Sequence, residues 1–243
     1  MACDNKLYQF HVANIRSVEI ALNNTALSAR KAISAENAPA VESFIRLYAL
    51  LLGAWVEIRL KKLLFENSGF SVEERSFVFA QSAQLEQWHK VVELAFRKHY
   101  NLPNAKLTDT TLPFTAYARY ETLKEILDSD LKSIIEVRNK LAHGQWIYPL
   151  NSEGTDVEEN KYQLLNNENL PSLQYKKGLI SGLSNIVHDL VVSLQTFERD
   201  FDANYQKITD TRNNLKNRSY EKYAYLLVEK RRKGVEKRRA NKT

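Results

Sequence analysis

Cysteine is almost missing from this chain: Cys3 is the only one in 243 residues. A single thiol excludes an intrachain disulfide framework and any cysteine-built metal cluster. Glycine and proline are also scarce, at seven and five residues, well below ordinary usage. With so few breakers and 44% apolar residues, long periodic segments dominate, and the expected class is all-α. No window approaches the roughly 18–20 uninterrupted apolar residues of a membrane span. The most apolar segment, Leu47 to Ile58, is bracketed by Arg46, Glu57 and Arg59 and reads as a buried helix. The first residues, Met1 to Lys6, carry no apolar signal-peptide core, so the expected compartment is the cytoplasm and no membrane partner is expected.

The charge is uneven. The net +6 lies entirely in Glu229 to Thr243, where eight Lys/Arg face only Glu229 and Glu236. The remaining 228 residues carry 27 charges of each sign. A neutral body with a basic end fits a phosphate-seeking arm better than a basic globular surface. The division expected is a helical domain over 1–228 and a basic, flexible tail over 229–243. Lys230, Arg231, Arg232, Lys233, Lys237, Arg238 and Arg239 are the candidate nucleic-acid contacts. A solvated, unfolded end is the plainer account of the same run.

Apolar spacing of three and four predicts helices over Leu7 to Ile33, Val41 to Glu66, Gln84 to His99, Phe114 to Leu127, Leu127 to Ala142, Gln174 to Tyr205 and Asp210 to Lys230. Val41 to Glu66 is apolar on most sides, hence central. Pro39 marks the boundary before it, and Asn67-Ser68-Gly69 a stop after it. Ser71 and Glu74 form a capping-box pair opening another helix. Asp128 or Ser129 is the expected cap of the helix ending at Ala142. Trp146-Ile147-Tyr148 and Tyr162 to Leu165 flank the turn-rich, acidic Asn151 to Asn160. They read as a small β-hairpin inserted at about 145–172.

One stretch is not explained by packing. Arg138 lies four residues after Ile134 and three before Leu141, inside an apolar stripe, where an unpaired guanidinium is costly. Gly144 is placed to end that helix in a left-handed turn, holding His143 at the helix end. With fifteen arginines and five histidines, one Arg and His five apart is an ordinary coincidence, so the context carries the weight. Arg138-Asn139-Lys140-Leu141-Ala142-His143 resembles the HEPN superfamily, whose nuclease members carry an Arg, a polar residue, and a His four to six positions beyond the Arg. Glu57-Ile58-Arg59-Leu60-Lys61-Lys62 resembles an accessory pattern of some HEPN families, with Lys62 where an Arg is common. The resemblance covers about Leu7 to Trp146 and the helix from Gln174, and leaves the basic end unassigned.

The resemblance implies an antiparallel helical bundle acting as a homodimeric, metal-independent endoribonuclease without cofactors, in a prokaryotic toxin–antitoxin or phage-defence setting. The expected reaction is attack of the ribose 2′-hydroxyl on the adjacent phosphate. A histidine titrates near neutrality and suits the general acid/base task, while a guanidinium fork matches phosphate oxygens. His143 and Arg138 take these roles, Asn139 orients the site, and Glu57, Lys61 and Lys62 support it. On a regular helix Arg138 and His143 stand about 140° apart, so the site needs the helix to end before His143 or a second copy. The structural alternative pairs Arg138 with a carboxylate such as Glu57 and leaves His143 as a helix cap. A catalytically silent HEPN-type RNA- or partner-binding module and a plain helical interaction protein also remain open.

Overall fold

The computed structural model describes residues 2–67, 69–217 and 219–241. Ser68 of the expected stop, Arg218 of the last expected helix, Lys242 and Thr243 of the basic end, and the Cys3 side chain lie outside the described residues. The long elements among the described residues are all helices: α1 (Ala2–Ser34), α2 (Ala38–Leu64), α3 (Val72–Phe79), α4 (Gln84–His99), α5 (Phe114–Ile126), α6 (Lys132–Ala142), α7 (Glu159–Asn166), α8 (Leu170–Val192), α9 (Leu194–Asn217) and α10 (Tyr220–Ala240). No helix among the described residues is long and apolar enough to cross a membrane.

The α1–α2 turn is set by local chemistry. Glu36 takes a left-handed φ of 54°, Asn37 caps α2 by accepting from the Ala40 N–H at 3.2 Å, and Pro39 sits in the first turn, where its missing N–H costs nothing. α2 is then buried on most of its circumference through Ile45, Tyr48, Leu52, Trp55, Val56, Leu60, Leu63 and Leu64. It forms the centre against which α1, α4, α6 and α8 pack. Ser71 and Glu74 make the anticipated capping box at the start of α3.

Four expectations fail, each for a physical reason. α5 and α6 are not separated by a cap at Asp128 or Ser129; a π-helical turn over Leu127–Leu131 joins them. The wider turn keeps Leu127 and Leu131 both fully buried, and Arg212 of α9 holds it by donating to Asp130 and the Ser129 hydroxyl. Tyr162 to Leu165 form no hairpin strand. They lie in α7, and among the described residues only an isolated antiparallel bridge, Leu150 with Val157, has β character. α7 buries Leu165 and stacks Tyr162 on Tyr148, ring centroids 5.9 Å apart. Ion pairs from Lys161 to Glu136 and from Lys140 to Glu158 tie this excursion to α6.

The expected long helix over Gln174 to Tyr205 breaks at Ser193, whose φ of −141° is extended. Its hydroxyl accepts from the Thr196 N–H at 3.4 Å. α8 and α9 therefore fold back on each other, with Ile208 lying against Gly182 and Thr211 against Gly178. The break lets Ile180, Leu183 and Leu190 of α8 and Phe197, Phe201 and Ile208 of α9 share one core. Finally, the expected helix over Asp210 to Lys230 divides: α9 ends at Asn217, and α10 starts at Tyr220 with Ser219 as its cap and carries the basic residues 229–240 as helix to Ala240. α10 lies against α1, and its Tyr223, Ala224 and Leu227 are partly buried against the core.

A buried arginine fastens the excursion after α6. Arg46, 5% exposed, donates from Nε to the Trp146 carbonyl at 3.1 Å and from Nη2 to Asn166 Oδ1 at 2.6 Å. Its Nη1 donates to the Leu165 carbonyl, and Glu42 balances the charge at 3.5 Å. Arg46→Ala strands those acceptors and is expected to cost about 3 kcal/mol in chemical denaturation. Hydrogen exchange will report the loss first over 145–166; a uniform loss across all helices would contradict this account.

Candidate active site at the contact of α2 and α6

α2 and α6 run antiparallel. Arg46 of α2 reaches the carbonyl of Trp146, just past the end of α6, while Gly53, two turns on, lies under Arg138. A Cβ on Gly53 would fall 2.3 Å from both Cβ and Cγ of Arg138. The arginine stem thus rests directly on the glycine backbone. That lane aims the guanidinium along α2 to Glu57, which accepts a hydrogen bond from Arg138 Nη2. Arg138 Nη1 donates to Asn139 Oδ1 at 2.9 Å. The other Glu57 oxygen accepts from Lys61 Nζ at 2.8 Å.

The Glu57 carboxylate is therefore held between two cations. Partial burial alone would raise its pKa, but the hydrogen bonds and charges of Lys61 and Arg138 outweigh it and hold the carboxyl below its usual range. Two positive groups share one negative one, so the cluster keeps a net charge of about +1. Arg138 and Glu57 remain 25% and 33% exposed, and a guanidinium has five N–H donors. Donors are left over for an anion arriving from solvent.

α6 ends at Ala142, as the Gly144 signal implied. His143 has φ −89° and donates its backbone N–H to the Asn139 carbonyl. Gly144 takes φ 75° with open space around it. The Gln145 N–H then reaches back to the Lys140 carbonyl at 3.0 Å, closing the turn in the manner of a Schellman cap. The His143 side chain is exposed, and its ring makes no hydrogen bond within the described residues.

The structure thus brings Arg138, Asn139, Glu57 and Lys61 together and sets His143 on the exposed end of the same helix. Lys62 does not join them. It pairs with Glu66 and lies 4.8 Å over the Tyr8 ring. The basic residues Lys230, Arg231, Arg232, Lys233, Lys237, Arg238 and Arg239 are exposed along α10. Arg232 is paired with Glu229 at 3.1 Å. Lys230 and Arg231 border a shallow recess with Arg30 and Lys31 of α1, which extends the basic face onto a helix the sequence pattern did not single out. A cavity of about 960 Å³ opens elsewhere, between the α1–α2 turn, the start of α8 and α10. It takes in Arg232 but none of the Arg138 cluster.

His11 also lies beside this cluster. From α1 its ring packs 5.1 Å from that of Phe65, and its pKa is lowered by burial and by the charge of Lys61. Nothing local in the sequence marks it, because the contact is made across two helices. Among the described residues no group of three or more His, Cys, Asp or Glu side chains is placed to hold a metal ion.

Two measurements check this geometry. Gly53→Ala must push α6 off α2 and is expected to destabilise the fold by about 1–3 kcal/mol, despite alanine's better helix propensity. Glu57 carries a folded-state pKa below its ordinary 4.5. Its ionised form therefore adds stability above that value, lost as pH falls through the folded pKa. Acid denaturation of Glu57→Gln is accordingly expected to show a shallower pH dependence below about pH 4.5 than the parent; an identical slope would contradict the bridged carboxylate. No known family model matches the chain, and no match to it is found among the curated proteins or among the solved structures.

Proposed function

We propose that this protein is a HEPN-like endoribonuclease that cleaves RNA without a metal, working as a homodimer in the cytoplasm. By the same resemblance it serves a prokaryotic toxin–antitoxin or phage-defence system, with an antitoxin or defence component as partner. The observation that carries the reading is the seating of Arg138. Its guanidinium is held by Gly53 and Glu57 in a partly exposed position on the helix that ends at the exposed His143.

His143 takes the proton of the ribose 2′-hydroxyl as that oxygen attacks the adjacent phosphorus. The new P–O2′ bond forms as the P–O5′ bond breaks, giving a 2′,3′-cyclic phosphate and a 5′-hydroxyl. The leaving 5′-oxygen takes a proton from the matching histidine of a second copy. Arg138 stabilises the charge on the phosphorane, where a fixed donor counts most. Asn139 and Glu57 restrain its guanidinium, and Lys61 adds positive charge. The exposed basic face of α10 holds the RNA backbone, an electrostatic contact that weakens with salt.

A second reading, a silent RNA- or partner-binding module, is favoured by one observation. Arg138 is already satisfied by Glu57 and Asn139, as a purely structural arginine would be. A helical interaction protein with a coincidental motif lies further off.

Incubation of purified protein with RNA in EDTA distinguishes these. Cleavage is expected from the parent chain, with His143→Ala slowed by about 10²–10⁴-fold and Arg138→Ala comparably impaired. Cleavage that requires added metal, or that survives both substitutions, would sink the mechanism. Binding without cleavage, lost on deleting residues 229–243, would instead establish the silent module. Light scattering that gives a monomer would remove the composite site.

A further inference from the structure

Gly53, Glu57 and Lys61 of α2 and Phe65, the residue that caps its end, recur at every fourth position, which places them in one row along the helix. The neighbours of that row come from three other helices. Arg138 of α6 covers Gly53 and pairs with Glu57. His11 of α1 lies against Phe65. The Arg75 guanidinium of α3 lies 4.7 Å from the centre of the same Phe65 ring. Lys61, 40% exposed, stands between Glu57 and Phe65. From Gly53 to Phe65 the row runs about 18 Å at 1.5 Å per residue.

The two ends differ in chemistry. At the α6 end, a guanidinium and an ammonium share one carboxylate and keep a positive balance. At the α1 end, the partly buried His11 imidazole lies against the Phe65 ring, their planes tilted by 32°, with the Arg75 guanidinium over the same phenyl ring. A positive lane leading to aromatic faces is the combination that holds a single-stranded nucleic acid: cations follow the phosphates, and π-faces stack on unpaired bases. A duplex offers no free base face for such an end.

We propose that this row of α2 is a track for single-stranded RNA within one chain, in which Arg138 and Lys61 take successive phosphates and His11 stacks on a base a few nucleotides from the scissile bond. The proposal rests on the ribonuclease reading for the position of the scissile phosphate at Arg138. It adds a substrate-positioning residue, His11, and a preference for unpaired RNA next to the cleaved bond. His11 does no proton transfer in this scheme. Lys61 changes from a supporting cation near the reaction to a contact one step along the strand.

The test is fluorescence-anisotropy binding of a short fluorescein-labelled single-stranded RNA, alongside a duplex of the same sequence, with Lys61→Gln, His11→Ala and the exposed Lys207→Gln as control. Lys61→Gln is expected to reduce the slope of log K against log salt by about 0.7, one single-strand phosphate contact. His11→Ala is expected to weaken binding about tenfold while leaving that slope unchanged, and His11→Phe to restore most of the loss. Lys207→Gln should bind as the parent does, and the duplex should bind more weakly and ignore His11→Ala. Circular dichroism melts of each variant show whether a loss of binding is a loss of fold. Equal binding by parent, Lys61→Gln and His11→Ala, with RNA cleavage still dependent on Arg138 and His143, would overturn the track and leave the nuclease reading standing. Binding that responds as expected, without cleavage by the parent, would uphold the track and overturn the nuclease. Absence of RNA binding by the parent would overturn both.

Discussion

The close approach of α2 and α6 at Gly53 is the constraint on which the rest of this arrangement depends. A side chain at position 53 would hold the helices apart, and the Arg138 stem would lose its lane. With glycine there, the guanidinium is taken partly out of water, which is unfavourable unless a carboxylate and further acceptors meet it. Glu57 and Asn139 supply them. A second arginine works in the opposite direction: Arg46 leaves α2 to meet the backbone that follows α6 and the end of α7. The pair of helices is thus pinned at two levels, roughly 10–16 Å apart along α2. Sliding by one turn would leave both guanidinium groups without acceptors. Hydrophobic packing alone does not give that uniqueness of register, since apolar surfaces tolerate repacking at modest cost.

The basic end has a related logic. Like charges repel, and an isolated run of lysines and arginines would be solvated and unfolded. Here the run continues a helix whose first turns are already fixed by Ser219 as cap and by Tyr223, Ala224 and Leu227 against the core. Once the nucleus is supplied by tertiary contact, each added Lys, Arg or Glu extends a helix for which its propensity is good. The Glu229–Arg232 pair adds a little more. The consequence is that the cations are displayed at helical spacing beside Arg30 and Lys31, a defined face instead of a diffuse cloud of charge.

What the sequence disclosed and what it concealed divide along the same line. The central position of α2, the Ser71–Glu74 box, the boundary at Pro39, the glycine stop at Gly144 and the Arg138–Glu57 pairing named as the structural alternative were legible. Each follows from neighbours on one helix or from a charge in an apolar stripe. The break at Ser193 was not, because serine is an ordinary helix resident; only the demand that α8 and α9 share a core, with Gly182 admitting Ile208, opens the chain there. The π turn at Leu127–Leu131 depends on Arg212, some eighty positions away. The four residues of Tyr162 to Leu165 are too few for a period to separate strand from helix, and Arg46 with the α6 ion pairs decided for α7. His11 gained its meaning only from Phe65 and Lys61 across a helix boundary.

The two histidines that flank the arginine also bear on how many copies a reaction here needs. Because α2 and α6 are antiparallel, with Trp146 opposite Arg46 and Arg138 opposite Gly53 to Glu57, His143 lies toward the beginning of α2 and His11 toward its end. Measured along α2, the two stand on the order of 20 Å apart. A general base and a general acid serving one phosphodiester must each be within hydrogen-bond reach of its oxygens, so these two cannot serve the same bond. His11, half-covered by Phe65 and beside the charge of Lys61, is held toward the neutral form and is suited to a face-to-base contact. His143, exposed and with no ring hydrogen bond among the described residues, is the group to which the proposed reaction assigns proton transfer. On the proposed reaction, the described residues of one chain place one histidine, His143, near Arg138, and transfer to the leaving oxygen would fall to solvent or to the His143 of a second copy. Of these, a second copy supplies a positioned group, and positioning is what separates enzymatic proton transfer from the solvent reaction. That requirement, and not the Arg/His spacing itself, is the strongest physical reason to expect two chains at one site.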